Sequence, residues 1–137
     1  MFDLAGNTLE RHTVDKTMED FMQIVRALAK SFSEVKIVAP PPIRRRFNGF
    51  NEKAATLTRR MAGYAKFRNF LFLTQFHKEL IRNDFVHYRH NDPRHLTRSI
   101  DVPQGQPCGI DYLAASYRRI IQFLLPLQPL KLAPLLL

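Results

Sequence analysis

The sequence predicts an α/β fold in which helices cover both faces of a short parallel sheet. Two runs rich in β-branched or aromatic residues, 35–39 and 70–73, have the length of buried strands. A third apolar run, 2–4, ends at a turn-like Ala5-Gly6-Asn7 and is predicted to be the first strand. Amphipathic helical stretches separate these runs, and alternation of strand and helix is typical of parallel sheets.

Helices are predicted where apolar side chains recur at helical spacing. The first spans 17–32, and Thr17 with Asp20 is suited to cap its amino terminus. The link before it, 10–15, is polar and is predicted to be a loop. The remaining predicted elements are a helix over 50–65 capped by Asn48, a short helix at Phe76, Leu80 and Ile81, an ordered loop over 87–106 and a final helix over 110–124.

The chain is strongly basic. Its 137 residues include 21 lysines and arginines against 12 aspartates and glutamates, which gives a net charge of +9. Such a surface favours acidic partners, with nucleic acid first and anionic membrane second. Arg44, Arg45 and Arg46 follow the second strand, and guanidinium groups suit phosphate, so we predict a candidate anion-binding loop there. An arginine run after a strand is also commonly a solvated loop.

Composition argues against several classes of protein. The single cysteine, Cys108, excludes an internal disulfide framework and a cysteine-rich zinc site. No apolar stretch is long enough to span a bilayer, and no signal peptide is visible. We therefore expect an intracellular protein, cytoplasmic or nuclear, with one α/β domain over 1–124 and a leucine- and proline-rich tail over 125–137.

Histidines cluster near the end of the predicted loop. His87, His90 and His95 lie close to Asp84 and Asp92 in the sequence, which is a composition suited to metal binding. Arginines stand beside these histidines and repel a cation, and no further ligand has a fixed spacing. We therefore expect no metal and no cofactor.

A carboxylate and an imidazole lie three residues apart in Asp92-Pro93-Arg94-His95. The acid can orient the imidazole, which can then take a proton from a hydroxyl nucleophile. The carboxyl ends of parallel strands meet at one edge of a sheet. Because Asn7, the arginine loop and this pair each follow a predicted strand, we expect all three groups to lie at the same edge.

Two of these segments resemble blocks of the SGNH/GDSL hydrolases. Residues 2–9, Phe-Asp-Leu-Ala-Gly-Asn-Thr-Leu, are similar to the family's third block, an apolar strand followed by Gly-x-Asn-Asp. Asp92-Pro93-Arg94-His95-Leu96 is similar to the last block, Asp-x-x-His. The resemblance covers about residues 1–124 and implies a three-layer α/β/α, flavodoxin-like fold. It also implies ester or acyl hydrolysis, with His95 as general base, Asp92 as its orienting acid and Asn7 as an oxyanion donor.

The family's nucleophile has no counterpart in this sequence. The Gly-Asp-Ser block and the second block with its glycine are missing, and Ala5 and Thr8 replace the glycine and aspartate of the third block. The serines are Ser31, Ser33, Ser99 and Ser116, and none has the context of a nucleophile elbow. The resemblance therefore predicts an SGNH-like domain that is incomplete at its amino terminus and catalytically impaired.

Two other functions stay open. A basic module of this fold could bind RNA or another acidic partner without catalysis. Loss of the family's first strand would also expose a sheet edge, which invites pairing with a second copy of the chain. The leucine- and proline-rich tail offers a further surface for assembly.

Overall fold

The computed structural model describes residues 4–45, 49–74 and 86–125. These residues form helices and short strands, a mixture that is compatible with the predicted α/β class. The elements are α1 (Leu4–Arg11), α2 (Val14–Ser31), β1 (Ile37–Ala39), α3 (Phe50–Lys66), β2 (Leu71–Leu73), β3 (Tyr88–Arg89), β4 (Asp92–Leu96), a 3₁₀ helix (Ser99–Asp101) and α4 (Gly109–Leu124).

The prediction of a first strand followed by a turn is wrong in the part that the structure describes. Leu4 begins helix α1, so Asn7 lies inside a helix rather than in a turn after a strand. Residues 2 and 3 of the predicted strand lie outside the described residues. Ala5 and Leu9, four residues apart, pack on the same hydrophobic core, which is the spacing of a helical face.

A lysine from another helix binds carbonyl groups at the carboxyl end of helix α1. The Lys53 ammonium donates to the carbonyl oxygens of Leu9 at 2.6 Å and His12 at 2.9 Å. A cation at a helix carboxyl terminus also complements the helix dipole. The predicted polar loop over 10–15 is therefore reduced to a short link between α1 and α2.

Helix α2 confirms the predicted helix over 17–32, but it begins about one turn earlier. Thr13 is extended, and its hydroxyl oxygen accepts from the backbone N–H of Lys16 at 3.1 Å, which makes it the amino-terminal cap. Thr17, the predicted cap, is buried inside the helix and donates its hydroxyl to the Thr13 carbonyl at 2.9 Å. Two threonines were thus available, and the earlier one takes the capping role.

The two predicted strands over 35–39 and 70–73 are confirmed and are shorter than predicted. They form a parallel pair in which Ile37 lies opposite Leu71 and Ala39 opposite Leu73. Helix α3 is the crossover that any parallel pair requires. In residues 4–45, 49–74 and 86–125, no third strand pairs with this sheet.

The first hydrophobic core lies among α1, α2 and α3. Helix α3 confirms the predicted helix over 50–65, and Gly49 precedes it with a left-handed φ of 78°. The predicted cap, Asn48, lies outside the described residues. The buried members of this core are Leu9, Met18, Phe50, Ala54, Leu57 and Met61.

Residues 88–96 of the predicted ordered loop over 87–106 form an antiparallel hairpin, which corrects that part of the prediction. Strand β3 pairs with β4, with Tyr88 opposite Leu96. Both side chains are buried with Ile43 and with Leu113 of α4 in a second hydrophobic core. Strand β4 reads Asp-Pro-Arg-His-Leu and has no apolar alternation, so its sequence does not indicate a strand.

Helix α4 confirms the predicted helix over 110–124 and meets the hairpin at Gly109. The Gly109 N–H donates to Thr97 Oγ1 at 2.8 Å, and the Thr97 N–H donates to the His87 carbonyl at 2.7 Å. A Cβ atom on Gly109 would lie 2.5 Å from that same carbonyl oxygen. Only glycine therefore allows this close approach between helix and hairpin.

Two other expectations concern residues beyond this description. The short helix predicted at Phe76, Leu80 and Ile81 and the tail over 126–137 lie outside the described residues. Among the helices that are described, none combines the length and apolar character needed to cross a bilayer.

We expect Gly109→Ala to destabilise the fold by about 2 kcal/mol, because its new methyl group overlaps a backbone oxygen that cannot move alone. Gly63→Ala is the matched control, since Gly63 lies in helix α3 with nothing within 4 Å of its added Cβ. That control is expected to stabilise the protein by roughly 0.5–1 kcal/mol. Urea unfolding measures both values. Equal stability of the two variants would contradict the close packing at Gly109.

Candidate functional site

The acid–imidazole pair is formed. Asp92 Oδ2 lies 2.6 Å from His95 Nδ1. Asp92 Oδ1 also accepts from the backbone N–H of Arg94 at 3.1 Å, and this local turn brings together two side chains three residues apart. The His95 side chain is 62% exposed, so the imidazole is open to a group arriving from solvent.

The protonation state of Asp92 determines which group donates the hydrogen bond between Asp92 and His95. The hydrogen bond with His95 is the main cause that lowers the pKa of Asp92, partial burial opposes it, and the Arg94 N–H adds to the lowering. An ionised carboxylate only accepts hydrogen bonds. In this contact His95 Nδ1 is therefore the donor, and in the neutral form of the ring Nε2 is the nitrogen that can accept a proton.

Glu10 joins the helix of Asn7 to the strand of His95. Its Oε1 contacts Nη1 of Arg45, and its Oε2 lies 3.3 Å from Nε of Arg94. Arg45 Nη2 in turn donates to the side-chain oxygen of Asn7 at 3.2 Å. A continuous chain of polar contacts therefore runs from Asn7 to Arg94, the neighbour of His95.

Arg45 is a structural residue in this arrangement. It is only 2% exposed, its guanidinium lies 5.4 Å from the centre of the Phe50 ring, and its charge is paired with Glu10. A buried cation with these partners is not available to a phosphate in solution. Of the predicted anion-binding loop, Arg44 is half-buried and Arg46 lies outside the described residues, so anion binding there stays a prediction.

Sequence reasoning missed Glu10, because it placed this residue in a polar loop. Asn7 and Glu10 are three residues apart, which puts both on one face of a helix. That spacing would have indicated their common role had residues 4–11 been recognised as helical. Nothing in the sequence indicates that Glu10 reaches Arg45 and Arg94.

No described serine is placed to act with His95. In the three described ranges, Asp92 is the polar partner that His95 contacts, and no serine hydroxyl lies within hydrogen-bond distance of the imidazole. Ser31 ends α2, and Ser116 is buried inside α4. Ser99 begins the exposed 3₁₀ helix, three residues beyond β4.

An apolar cavity of about 180 Å³ lies elsewhere, among α1, α2 and β1. Phe21, Leu28 and Val38 are among the side chains that line it. Neither Asp92 nor His95 is among its lining residues, so the acid–imidazole pair lies outside this cavity.

The other histidines of the cluster do not gather around one point. The His87 ring packs against the ring of Tyr112, with 4.4 Å between their centres. His90 lies at the exposed turn between β3 and β4. Across the part of the chain that the structure describes, no group of three histidine, cysteine or acidic side chains is placed to hold a metal.

We expect the carboxyl group of Asp92 to titrate below the ordinary range of an aspartate, and His95→Ala to raise its midpoint, because the largest cause of the shift is then removed. The stability that this shift contributes is present above the ordinary aspartate pKa and is lost as pH falls through the lower folded-state value. A carbon-detected NMR titration measures the midpoint. His90→Ala is the control and should leave it unchanged; an unchanged midpoint in His95→Ala would contradict the assignment.

No protein-family model, no curated protein and no solved structure matches this chain. The functional assignment therefore depends on the geometry of the residues themselves.

Proposed function

We propose that this chain carries an SGNH-hydrolase-like domain, related to ester and acyl hydrolases, whose catalysis is impaired because the serine nucleophile block is missing. The observation that carries the proposal is the 2.6 Å contact between Asp92 and His95. The contacts that link Asn7 through Arg45 and Glu10 to Arg94 support it.

Each of the three residues has a chemical role in this proposal. His95 is the general base, and Asp92 holds its ring in the tautomer with a free Nε2. The Asn7 side-chain oxygen accepts from Arg45, so its NH₂ group is turned the other way. That group can donate to an oxyanion, which is the role of an amide in such a site.

The parallel β1–α3–β2 unit is compatible with a three-layer, flavodoxin-like α/β/α fold, which we propose as the ancestral form. Two features depart from that form. Asn7 lies in helix α1 instead of following a strand, and the Asp92–His95 pair lies on an antiparallel hairpin instead of a loop. Both departures fit a scaffold that has moved away from catalysis.

The missing nucleophile sets the limit on activity. An imidazole can activate a hydroxyl group only when that group lies within hydrogen-bond reach, and no described serine does. Loss of the nucleophile from a serine hydrolase removes most of its rate enhancement and leaves residual catalysis at best.

Binding of RNA or another acidic partner is the second candidate function. The net charge of +9 and exposed cations such as Arg26 and Arg59 support it. Arg45 is held in a buried ion pair, so one of the three arginines on which the prediction of anion binding rested does not support it. The hydrolase-like scaffold is therefore the better supported proposal.

We expect the chain to hydrolyse p-nitrophenyl acetate only at the slow background rate of surface imidazoles. His95→Ala and the matched control His90→Ala, both at exposed histidines, should each change this rate by less than about twofold. Steady-state absorbance measurements give the rates. Turnover lost in His95→Ala and Ser99→Ala but kept in His90→Ala would show an active enzyme with Ser99 as nucleophile and contradict the impaired state.

A further inference from the structure

Strand β1 pairs with β2 along one edge, and no strand of the described residues pairs with its other edge. On the paired edge, the Ile37 N–H donates to the Phe70 carbonyl at 2.6 Å. The Ala39 carbonyl accepts there from the Thr74 N–H at 3.1 Å. Because backbone groups of successive strand residues point to opposite sides, the N–H and carbonyl of Val38 point away from β2. In the part of the chain that the structure describes, neither group has a hydrogen-bond partner.

The apolar cavity of about 180 Å³ lies directly beside this free edge. Residues 37–40 form one side of it, and Phe21, Ile24 and Leu28 of α2 lie on another. These three side chains lie within about 60° of one another around the axis of α2, so they belong to one face. Ile24 is 47% exposed and Leu28 is 37% exposed. Helix α2 therefore presents a partly exposed apolar face over the cavity at the free edge of β1.

The cavity is close to electrically neutral, although the chain is strongly basic. Asp20 is the charged residue of its lining, and the Asp20 carboxylate lies 3.1 Å from the Lys16 ammonium. The polar lining residues are Thr8 and Thr17, and the Thr17 hydroxyl already donates to the Thr13 carbonyl. An occupant that matches this cavity is therefore uncharged and apolar, unlike the acidic partners that the net charge of +9 favours.

We propose that the free edge of β1 binds an extended, aliphatic segment of another polypeptide, which adds to the sheet as a further strand. The backbone of this segment pairs with the N–H and carbonyl of Val38, and one of its apolar side chains enters the cavity. A cavity of about 150 Å³ can hold a benzene ring, so this one has room for such a side chain. In this mode of recognition the backbone hydrogen bonds give affinity and the pocket selects the side chain. The binding needs neither Asp92 nor His95.

Two other occupants fit these observations less well. A small apolar molecule would fill the cavity but leave the backbone groups of Val38 unpaired. A second copy of the chain would bring its own α2 to the same edge. Paired strands lie about 4.8 Å apart, whereas packed helices need about 8–10 Å, so two α2 helices could not both lie over this edge.

The test is selection of a phage-displayed library of random dodecapeptides against the full chain. We expect the selected peptides to share an aliphatic residue with β-branched neighbours and to lack a central proline, because proline cannot donate to a strand ladder. A selected peptide should slow hydrogen–deuterium exchange of the Val38 amide at least about tenfold, because this N–H then gains a partner. Nuclear magnetic resonance measures that exchange rate.

Val38→Pro removes the N–H that points away from β2 and should weaken binding of the selected peptides at least about tenfold. Proline is tolerated on edge strands, and the pairing with β2 does not use this N–H, so the fold should be retained. Val38→Thr is the matched control, because it keeps the N–H and the β-branched shape. It should change binding by less than about threefold.

The cavity has its own matched pair of variants. Ile24→Asp places a charge at the wall of the cavity and should weaken peptide binding at least about tenfold. Phe67→Asp adds the same charge at an exposed apolar residue that follows α3 and does not line the cavity, so its effect should be much smaller. Circular dichroism and thermal unfolding establish that every variant is folded.

Three results would overturn the proposal. The selection could enrich no aliphatic peptide. The selected peptides could bind Val38→Pro as tightly as the unchanged chain and lose affinity only in Ile24→Asp, which would assign the cavity to apolar molecules without strand addition. The chain could form a dimer in light scattering that Val38→Pro dissociates, which would assign the free edge to a second copy.

Discussion

The Glu10 carboxylate, shared between Arg45 and Arg94, is the interaction on which the arrangement of this molecule depends. Arg45 is almost fully buried, and a buried cation without a partner costs several kcal/mol. Glu10 follows Leu9 of the first hydrophobic core, whereas Arg45 and Arg94 lie two residues from Ile43 and Leu96 of the second. One carboxylate therefore links the helical core to the hairpin core.

That linkage connects the helix of Asn7 to the hairpin that carries His95. Asn7 belongs to a helix of the first core, and His95 belongs to a strand of the second. Apart from the contacts through Arg45 and Glu10, no contact in the described residues joins the side chain of Asn7 to the hairpin. Asp92 and His95 are in contact through a local turn, whereas the polar contacts of Asn7 reach the hairpin only at Arg94.

The sequence predicted those parts of the fold in which periodicity is strong. Helices α2, α3 and α4 have apolar side chains at helical spacing, and strands β1 and β2 are β-branched or aromatic runs, so local pattern and tertiary packing agree. Helix α1 and the hairpin were missed for a physical reason. Helix α1 is short and is held by Lys53 and Glu10 through side-chain contacts, and β4 buries only Leu96. Tertiary contacts, not propensity, decide both elements.

In the candidate site, too, local contacts could be predicted from the sequence and long-range contacts could not. The pairing of Asp92 with His95 follows from their spacing, which a local turn can close, so the sequence predicted it. The role of Arg45 could not be predicted, because its partner Glu10 lies 35 residues away. An arginine run looks identical in sequence whether its members face solvent or a buried carboxylate.

The free energy of unfolding of Glu10→Gln tests this account most directly. Asp15→Asn is the control, because it removes a carboxylate from the exposed ion pair with Arg60 and should cost less than about 1 kcal/mol. Glu10→Gln is expected to cost about 3 kcal/mol, since it leaves the charge of Arg45 buried without its counter-ion. Equal, small losses in both variants would contradict the central role of Glu10.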